Sequence, residues 1–296
     1  MNGGMGVNYY LCFDIGGTAI KYGIIDENAN FLETHLTDTE AAKGGMHIRK
    51  KILKLVDDIN QHYKICGVCI STAGMVNSES GEIIYASNTI PNYVGVNLKN
   101  DIEKLFRIPC EVENDVNCAG IAEVYSGAAQ GKKSVFCLTV GTGIGGSFIL
   151  DGAVYRGNTG SACEIGYMLD GNLSFQDKGS VKTLVDYIRN KKCDSSWTGE
   201  KIFDSAKQGD KECVEAIKSM LDVLARGISN VCYVLNPEAI VLGGGLTGQG
   251  QWLEDEIRKS IKKYLLPIIF DNMEFRFALH KNNAGMIGAF YNFKNR

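Results

Sequence analysis

The chain is short of most features that would take it out of the ordinary soluble classes. It has only 4 prolines and 2 tryptophans in 296 residues, and no proline-rich linker, low-complexity run or appended module is visible. No apolar run approaches the roughly 20 residues that a membrane span requires, so neither spanning nor anchoring in a membrane is expected. Neither sign of charge is in excess: 31 Lys and Arg stand against 34 Asp and Glu, net −3, and the basic residues are scattered. Nucleic acid and anionic membrane are therefore not expected as partners. The 4 histidines, His35, His47, His62 and His280, have no ligand partner at metal-binding spacing. Residues 1–8 lack the basic and apolar regions of a signal peptide. A cytoplasmic location is expected on that ground, with the 10 cysteines as thiols.

At roughly 150 residues per domain the length suggests about two domains. Glycine is plentiful, with 35 residues, several gathered at Gly16-Gly17, Gly141 to Gly146 and Gly243 to Gly245 directly after apolar runs. Such clusters let backbone approach a ligand closely. Tyr9 to Asp14, Ala19 to Ile25 and Phe31 to Thr37 read as an antiparallel meander. A helix through Ile48, Ile52, Leu55, Val56 and Ile59 then leads to an apolar strand, Ile65 to Ile70. A helix at Leu98 to Phe106, a strand at Cys110 to Glu113 and a helix at Val116 to Tyr125 follow. The second half restarts with a strand at Val135 to Val140, a glycine turn and a returning strand at Ser147 to Leu150, which reads as an internal repeat of the opening hairpin. Helices at Val181 to Arg189, Gly199 to Lys207 and Lys211 to Leu235, then the strand Ala239 to Leu242, carry the chain to Gly243-Gly244-Gly245. A helix at Trp252 to Tyr264, a strand at Glu274 to Leu279 and a last helix at Ala284 to Phe293 complete it.

Gly141, Gly143 and Gly146 spell the dinucleotide fingerprint, but that site needs a helix to start within the glycines, and the β-like run Ser147-Phe148-Ile149-Leu150 follows instead. No P-loop motif occurs. A glycine hairpin whose N–H groups face a phosphate is the remaining ligand-binding reading. Two such turns, each with a threonine (Thr18 and Thr142), favour it over a hairpin without a ligand. Asp14 ends an apolar strand directly before Gly16-Gly17-Thr18, where a carboxylate is costly unless paired or bound to a cation. That points to magnesium, the alternative being a turn-capping aspartate. Asp115 follows a strand end, where α/β proteins present catalytic groups, and it is equally placed to cap the helix that begins at Val116. Cys66 and Cys69 form C-x-x-C inside an apolar strand, where no turn brings the thiols together; they read as core residues.

Taken in order, Asp14-Ile15-Gly16-Gly17-Thr18, Glu113-Asn114-Asp115, the run Thr139 to Gly146, Glu164-Ile165-Gly166, Val241 to Gly245 and Ala284 to Ala289 resemble the ROK family (repressor, open reading frame, kinase) of sugar kinases. The resemblance covers essentially the whole chain. It implies an α/β, two-domain actin-like (ribonuclease-H-like) fold: a small domain over residues 1–115 with the returning helix 283–296, and a larger domain over 116–282 carrying most of the ATP site. It also implies ATP and magnesium as cofactors, a small-molecule sugar as partner, and a homodimer. Position by position, Asp115 would be the general base toward the sugar hydroxyl, and Asn114, Glu164, Gly74 and Asn88 would line the sugar pocket. Asp14, Gly16, Gly17 and Thr18 would face magnesium and the phosphates. Gly141, Thr142 and Gly143 would face the phosphates, and Gly243, Gly244 and Gly245 the adenosine side.

The chain departs from the family pattern in one loop. Many members follow Glu-x-Gly with histidine and then a cysteine-rich zinc motif that ends in a further sugar-binding glutamate. Here the position is Tyr167, and residues 168–182 hold neither cysteine nor histidine, so no zinc site is expected. Members with tyrosine there and no zinc loop resemble the bacterial β-glucoside kinases, which phosphorylate the 6-hydroxyl of the nonreducing glucose of substrates such as cellobiose. Losing both polar groups removes partners that a glycosidic substituent would leave unpaired, and Tyr167 would offer a second ring an aromatic face. The alternatives are a glucokinase or N-acetylmannosamine kinase, or a catalytically inactive sugar sensor. A transcriptional repressor is disfavoured, because only 13 residues precede Asp14, too few for a helix-turn-helix.

Overall fold

The structure, a computed structural model, describes residues 8–296. The expectation about a signal peptide falls almost wholly outside these residues. Two compact units are present. The first comprises the chain up to Tyr125 with Arg156–Ala162 and Asn282–Arg296, and the second Ser126–Tyr155 with Cys163–Lys281.

In the first unit the meander forms as β1 (Tyr9–Ile15), β2 (Ala19–Asp26) and β3 (Phe31–Asp38). Helix α1 (Gly45–Asn60) leads to β4 (Ile65–Thr72), and a small ribbon, β5 (Met75–Val76) with β6 (Ile83–Tyr85), follows. Then come α2 (Leu98–Phe106), β7 (Cys110–Asn114) and α3 (Asp115–Ser126). The sheet order is β3-β2-β1-β4-β7, antiparallel on the meander side and parallel from β1 through β4 to β7. β1 is covered on both faces, and its two-residue period sorts its side chains between them. Leu11, Phe13 and Ile15 join Ile48, Ile52, Val56, Leu98 and Ile102 from the two helices. Tyr10 and Cys12 face the other way, with Cys69 and Cys118.

The second unit repeats the scheme. β8 (Ser134–Val140), β9 (Ile144–Leu150) and β10 (Ala153–Val154) form its meander. The ribbon β11 (Leu169–Asp170) with β12 (Leu173–Ser174) precedes α4 (Phe175–Gly179), α5 (Val181–Lys192), α6 (Gly199–Lys207) and α7 (Lys211–Leu235). β13 (Ala239–Gly244), α8 (Gln251–Ile261), α9 (Pro267–Phe270) and β14 (Glu274–Phe277) close it, and the order β10-β9-β8-β13-β14 reproduces that of the first sheet. The core runs from Phe136, Leu138 and Val140 on β8 to Leu221, Leu224 and Ile228 on the 25-residue α7. Asp210 caps that helix by accepting from Cys213 N at 3.0 Å.

The chain then returns to the first unit with α10 (Ala284–Lys294), whose Met286, Ala289 and Phe290 cover Tyr10, Cys12 and Cys118. Ala122 of α3 packs on Ala284 and Ile287 of the same helix. Helix α3 up to Tyr125 belongs to the first unit. No described helix is long and apolar enough to cross a membrane, and the ten cysteines are unbridged. Cys66 and Cys69 both lie on β4, with Cys69 fully buried beside Cys12.

Candidate active site

Three parallel strands of the first unit end at one edge, and their register sets its chemistry. Asp14 of β1 lies beside Ser71 of β4, which lies beside Glu113 of β7; one step further on, Ile15, Thr72 and Asn114 are in line. The carboxyl ends of parallel strands are where open α/β sheets present ligand-binding groups. Ser71 Oγ donates to Asp14 Oδ1 at 2.9 Å, and Lys21 Nζ, on the antiparallel neighbour β2, stands 3.4 Å from Oδ2. These partners meet the desolvation cost of the carboxylate within the protein.

Asn114 resolves the ambiguity over the start of α3. Its Oδ1 accepts from Val116 N at 2.9 Å and Asn117 N at 3.1 Å, the contacts of a helix cap. Its Nδ2 donates to Asp115 Oδ1 and to Gly74 O, both at 2.9 Å. Asp115, whose Oδ1 also accepts from Val116 N at 2.9 Å, is thus oriented at the N-terminus of α3. Beneath it Glu113, 2% exposed, accepts from Asn114 N and Asn117 Nδ2 through Oε1 and is gripped at Oε2 by Arg156 Nε (3.0 Å) and Nη2 (2.7 Å). Burial raises the Cys118 thiol well above its ordinary value, and the nearby charges of Glu113, Asp14 and Asp115 add to it. Burial likewise pushes Tyr93 up to about 12, aided by Asp115, while its hydroxyl bonds Thr72 Oγ1 at 2.7 Å.

The turn at Gly16, Gly17 and Thr18 closes with Gly16 N donating to Ala19 O at 3.1 Å. It is clamped by the buried Thr39, whose N–H donates to Thr18 O and whose hydroxyl donates to Gly16 O at 2.7 Å. The loop that carries the exposed Asn88 packs on this turn, since a Cβ at Gly17 would lie 2.6 Å from the Thr89 methyl.

The second unit has the matching edge. β8 and β13 are parallel, with Gly243 beside Thr139 and Gly244 beside Val140, so Gly141-Thr142-Gly143 and Gly243-Gly244-Gly245 emerge side by side. Gly244 has φ +89°, and a Cβ there would sit 2.4 Å from Val140 O; no other residue fits that corner. Gly141 O accepts from Val181 N at 3.0 Å and Lys182 N at 3.3 Å, the first amides of α5, which Ser180 caps. This fixes the turn from behind. The strand after it begins at Ile144, earlier than expected, and takes in Gly145 and Gly146.

Also in the second unit, Glu164 precedes a single 3₁₀ turn, Ile165–Tyr167. Its carboxyl is half-buried without a side-chain hydrogen-bond partner among the described residues, and burial raises its pKa above the usual carboxylate value. Tyr167 at the end of the turn is 51% exposed. The first unit thus gathers Asp14, Gly16, Gly17, Thr18, Gly74, Asn114 and Asp115, with Asn88 at the rim. The second gathers Gly141, Thr142, Gly143 and Gly243 to Gly245 at one strand edge, with Glu164 and Tyr167 on the 3₁₀ turn. Ser71, Thr39 and Arg156 were not picked out from the sequence. The polar pair Ser71-Thr72 ending an apolar strand was a usable signal, whereas nothing local marks Arg156.

Three comparisons bear on this arrangement. The sequence model of the ROK family matches residues 10–296. An uncharacterized protein of Clostridium perfringens is 46% identical over 96% of this chain and 97% of its own, and the β-glucoside kinase of Listeria innocua is 29% identical over 95% and 96%. The crystal structure of a ROK family glucokinase from Streptomyces griseus, in complex with glucose and AMPPNP, superposes with a TM-score of 0.81 at 28% identity, covering 96% of this chain and 98% of that one.

Glu164 yields a pH prediction. Its folded pKa lies above the unfolded value, so the folded state holds the proton more tightly and stability falls as pH rises through that window. At neutral pH the ionised carboxylate therefore costs stability. Glu164→Gln should raise the melting temperature at pH 7, with the gain shrinking as pH falls toward the acid range. Thermal melts from pH 4 to 8 check this, and an equal or lower melting temperature at pH 7 would contradict it.

Proposed function

From the premise that this chain belongs to the ROK family and is an ATP-dependent carbohydrate kinase acting on a sugar hydroxyl, we propose that its acceptor is the 6-hydroxyl of the nonreducing glucose of a β-glucoside such as cellobiose. The observation that carries this reading is the Glu164–Tyr167 turn, where a half-buried carboxylate with no side-chain partner among the described residues precedes an exposed aromatic ring. The carboxylate accepts hydrogen bonds from the hydroxyls of the phosphorylated ring, which repays the burial that raises its pKa. The ring of Tyr167 supplies a face for the second sugar. The likeness to the Listeria innocua β-glucoside kinase supports this assignment, and the likeness to the Streptomyces griseus glucokinase keeps free glucose as the second reading.

Asp115 is the general base in this mechanism. As the acceptor oxygen bonds to the γ-phosphorus of ATP and the bond to the leaving ADP oxygen breaks, the hydroxyl proton passes to the Asp115 carboxylate. Asn114 orients that carboxylate through Oδ1 and reaches Gly74 O with the same amide nitrogen, so it also shapes the sugar side. Gly74 and Asn88 line that side. Gly16, Gly17 and Thr18 present turn backbone to magnesium and the phosphates, Gly141, Thr142 and Gly143 present theirs to the phosphates, and Gly243, Gly244 and Gly245 take the adenosine side.

Asp14 fits a magnesium ion held largely by phosphate oxygens, because such ions need only one or two protein carboxylates. Its Oδ1 is committed to Ser71, which fixes the group, and Oδ2 is the oxygen that would face the ion in place of Lys21. Magnesium would neutralise charge on the transferring phosphoryl group.

Two measurements test the proposal. Asp115→Asn should lower kcat by about 10² to 10⁴ with a modest change in acceptor affinity, as loss of a general base does. Near-normal kcat would reject Asp115 as the base. In a coupled ADP-release assay, cellobiose or gentiobiose should give a higher kcat/KM than glucose or N-acetylmannosamine. A higher value for either free sugar would move the assignment to a hexose kinase.

A further inference from the structure

In the second unit, the turn that carries Glu164 and the glycine turn at 141–143 are not independent. A Cβ at Gly166, in the middle of the 3₁₀ turn, would lie 2.2 Å from Ile144 O, the first residue of the strand leaving the glycine turn. Their backbones therefore touch directly. The side chain of Gln176 also lies against both turns. Gln176 Oε1 lies 2.9 Å from where a Cβ would stand at Gly143 and 2.9 Å from where one would stand at Gly166. Any side chain at either glycine would expel it.

The element that carries Gln176 is held firmly. Helix α4 has only five residues, yet it starts with a capping box between Ser174 and Asp177, and Phe175 N donates to Met168 O at 2.7 Å. The Phe175 ring fills the place of a side chain at Gly227 on α7, a would-be Cβ there lying 2.2 Å from the ring. The backbone oxygen of Gln176 accepts from Ser180 N at 3.2 Å and Thr183 Oγ1 at 3.3 Å. Ser180 in turn caps α5, whose first amides hold Gly141 O. The side-chain amide itself makes no hydrogen bond with any described residue, so its role in this place is steric.

We propose that Gln176 is the positioning residue through which the phosphate turn and the Glu164 turn sense each other, so that nucleotide bound at residues 141–143 tightens the grip of Glu164 on the acceptor. A phosphate against the glycine turn fixes Gly143. The wedge then has one place to sit, and Gly166, pressed on its other side, fixes the carboxylate two residues earlier. The ligands become coupled because ordering by one spares the other that cost. This rests on the roles given above to Glu164 and the glycine turn, but not on the acceptor being a β-glucoside.

The test is calorimetric. The acceptor with the highest kcat/KM is titrated into the intact protein with and without saturating AMPPNP and magnesium. The wild type should bind acceptor about fivefold or more tightly with AMPPNP present, a typical coupling between sites. Gln176→Ala should reduce that factor below about twofold while each ligand alone binds within about threefold of the wild type. Gln176→Met, which keeps length and bulk, should retain most of the coupling. Absence of coupling in the wild type, or its persistence in Gln176→Ala, would overturn the proposal. Equal loss in the Met and Ala variants would overturn it too, since the amide would then be acting by direct contact with a ligand. Preference for a free hexose would instead alter only the acceptor assignment.

Discussion

The active-site reading depends first on the parallel register of β1, β4 and β7. Asp14, Ser71 and Glu113 occupy one rung of that ladder, and the next rung ends in Asn114, so Asp115 begins α3 at the strand edge. A one-residue slip would turn Asp14 away from Ser71 and into the layer of Leu11, Phe13 and Ile15. The register is held by two apolar layers, with Leu11, Phe13 and Ile15 on one face and Tyr10 and Cys12 on the other. The C-terminal helix supplies the cover for the second face, so residues near both ends of the chain stabilise the same strand.

The second sheet uses the same strand order for different chemistry. Its edge is all backbone: the turn at 141–143 and the run at 243–245 present amides and no titratable side chain. The first edge offers carboxylates and the second offers glycine, a division suited to a reaction in which one substrate gives up a proton and the other carries phosphate. The buried carboxylate of Glu113 is paired with Arg156, and this pair supports the residues that carry Asp115. Removing Arg156 would leave the buried Glu113 carboxylate without its closest cation, Arg296 Nη2 standing further off at 3.9 Å.

Much of this was legible in the sequence where a period ran long enough to be counted. The apolar run Tyr9 to Asp14, the helical spacing from Ile48 to Ile59 and the 25 residues of α7 are all present where expected. The repeat of the opening hairpin is real, as the matching strand orders show. Short elements escaped for lack of a period: α4 has five residues, and the ribbons β5 with β6 and β11 with β12 have two or three per strand. β9 was begun too late because Gly145-Gly146 reads as turn, although here the glycines lie within the ladder. Compact motifs could be singled out from the sequence, whereas the partners that hold them in place, brought from afar, could not. Arg156 lies 43 positions from Glu113, and Thr39 lies 23 from Gly16.

The proposed reaction places one phosphoryl group on one hydroxyl of a terminal glucosyl ring. The most direct measurement is two-dimensional ¹H–³¹P NMR of the product formed from ATP and cellobiose. The expected product is a single phosphomonoester coupled to the C6 protons of the nonreducing ring, with the anomeric signals of the reducing ring unchanged. Phosphate on the reducing ring, or on a secondary hydroxyl of either ring, would contradict it.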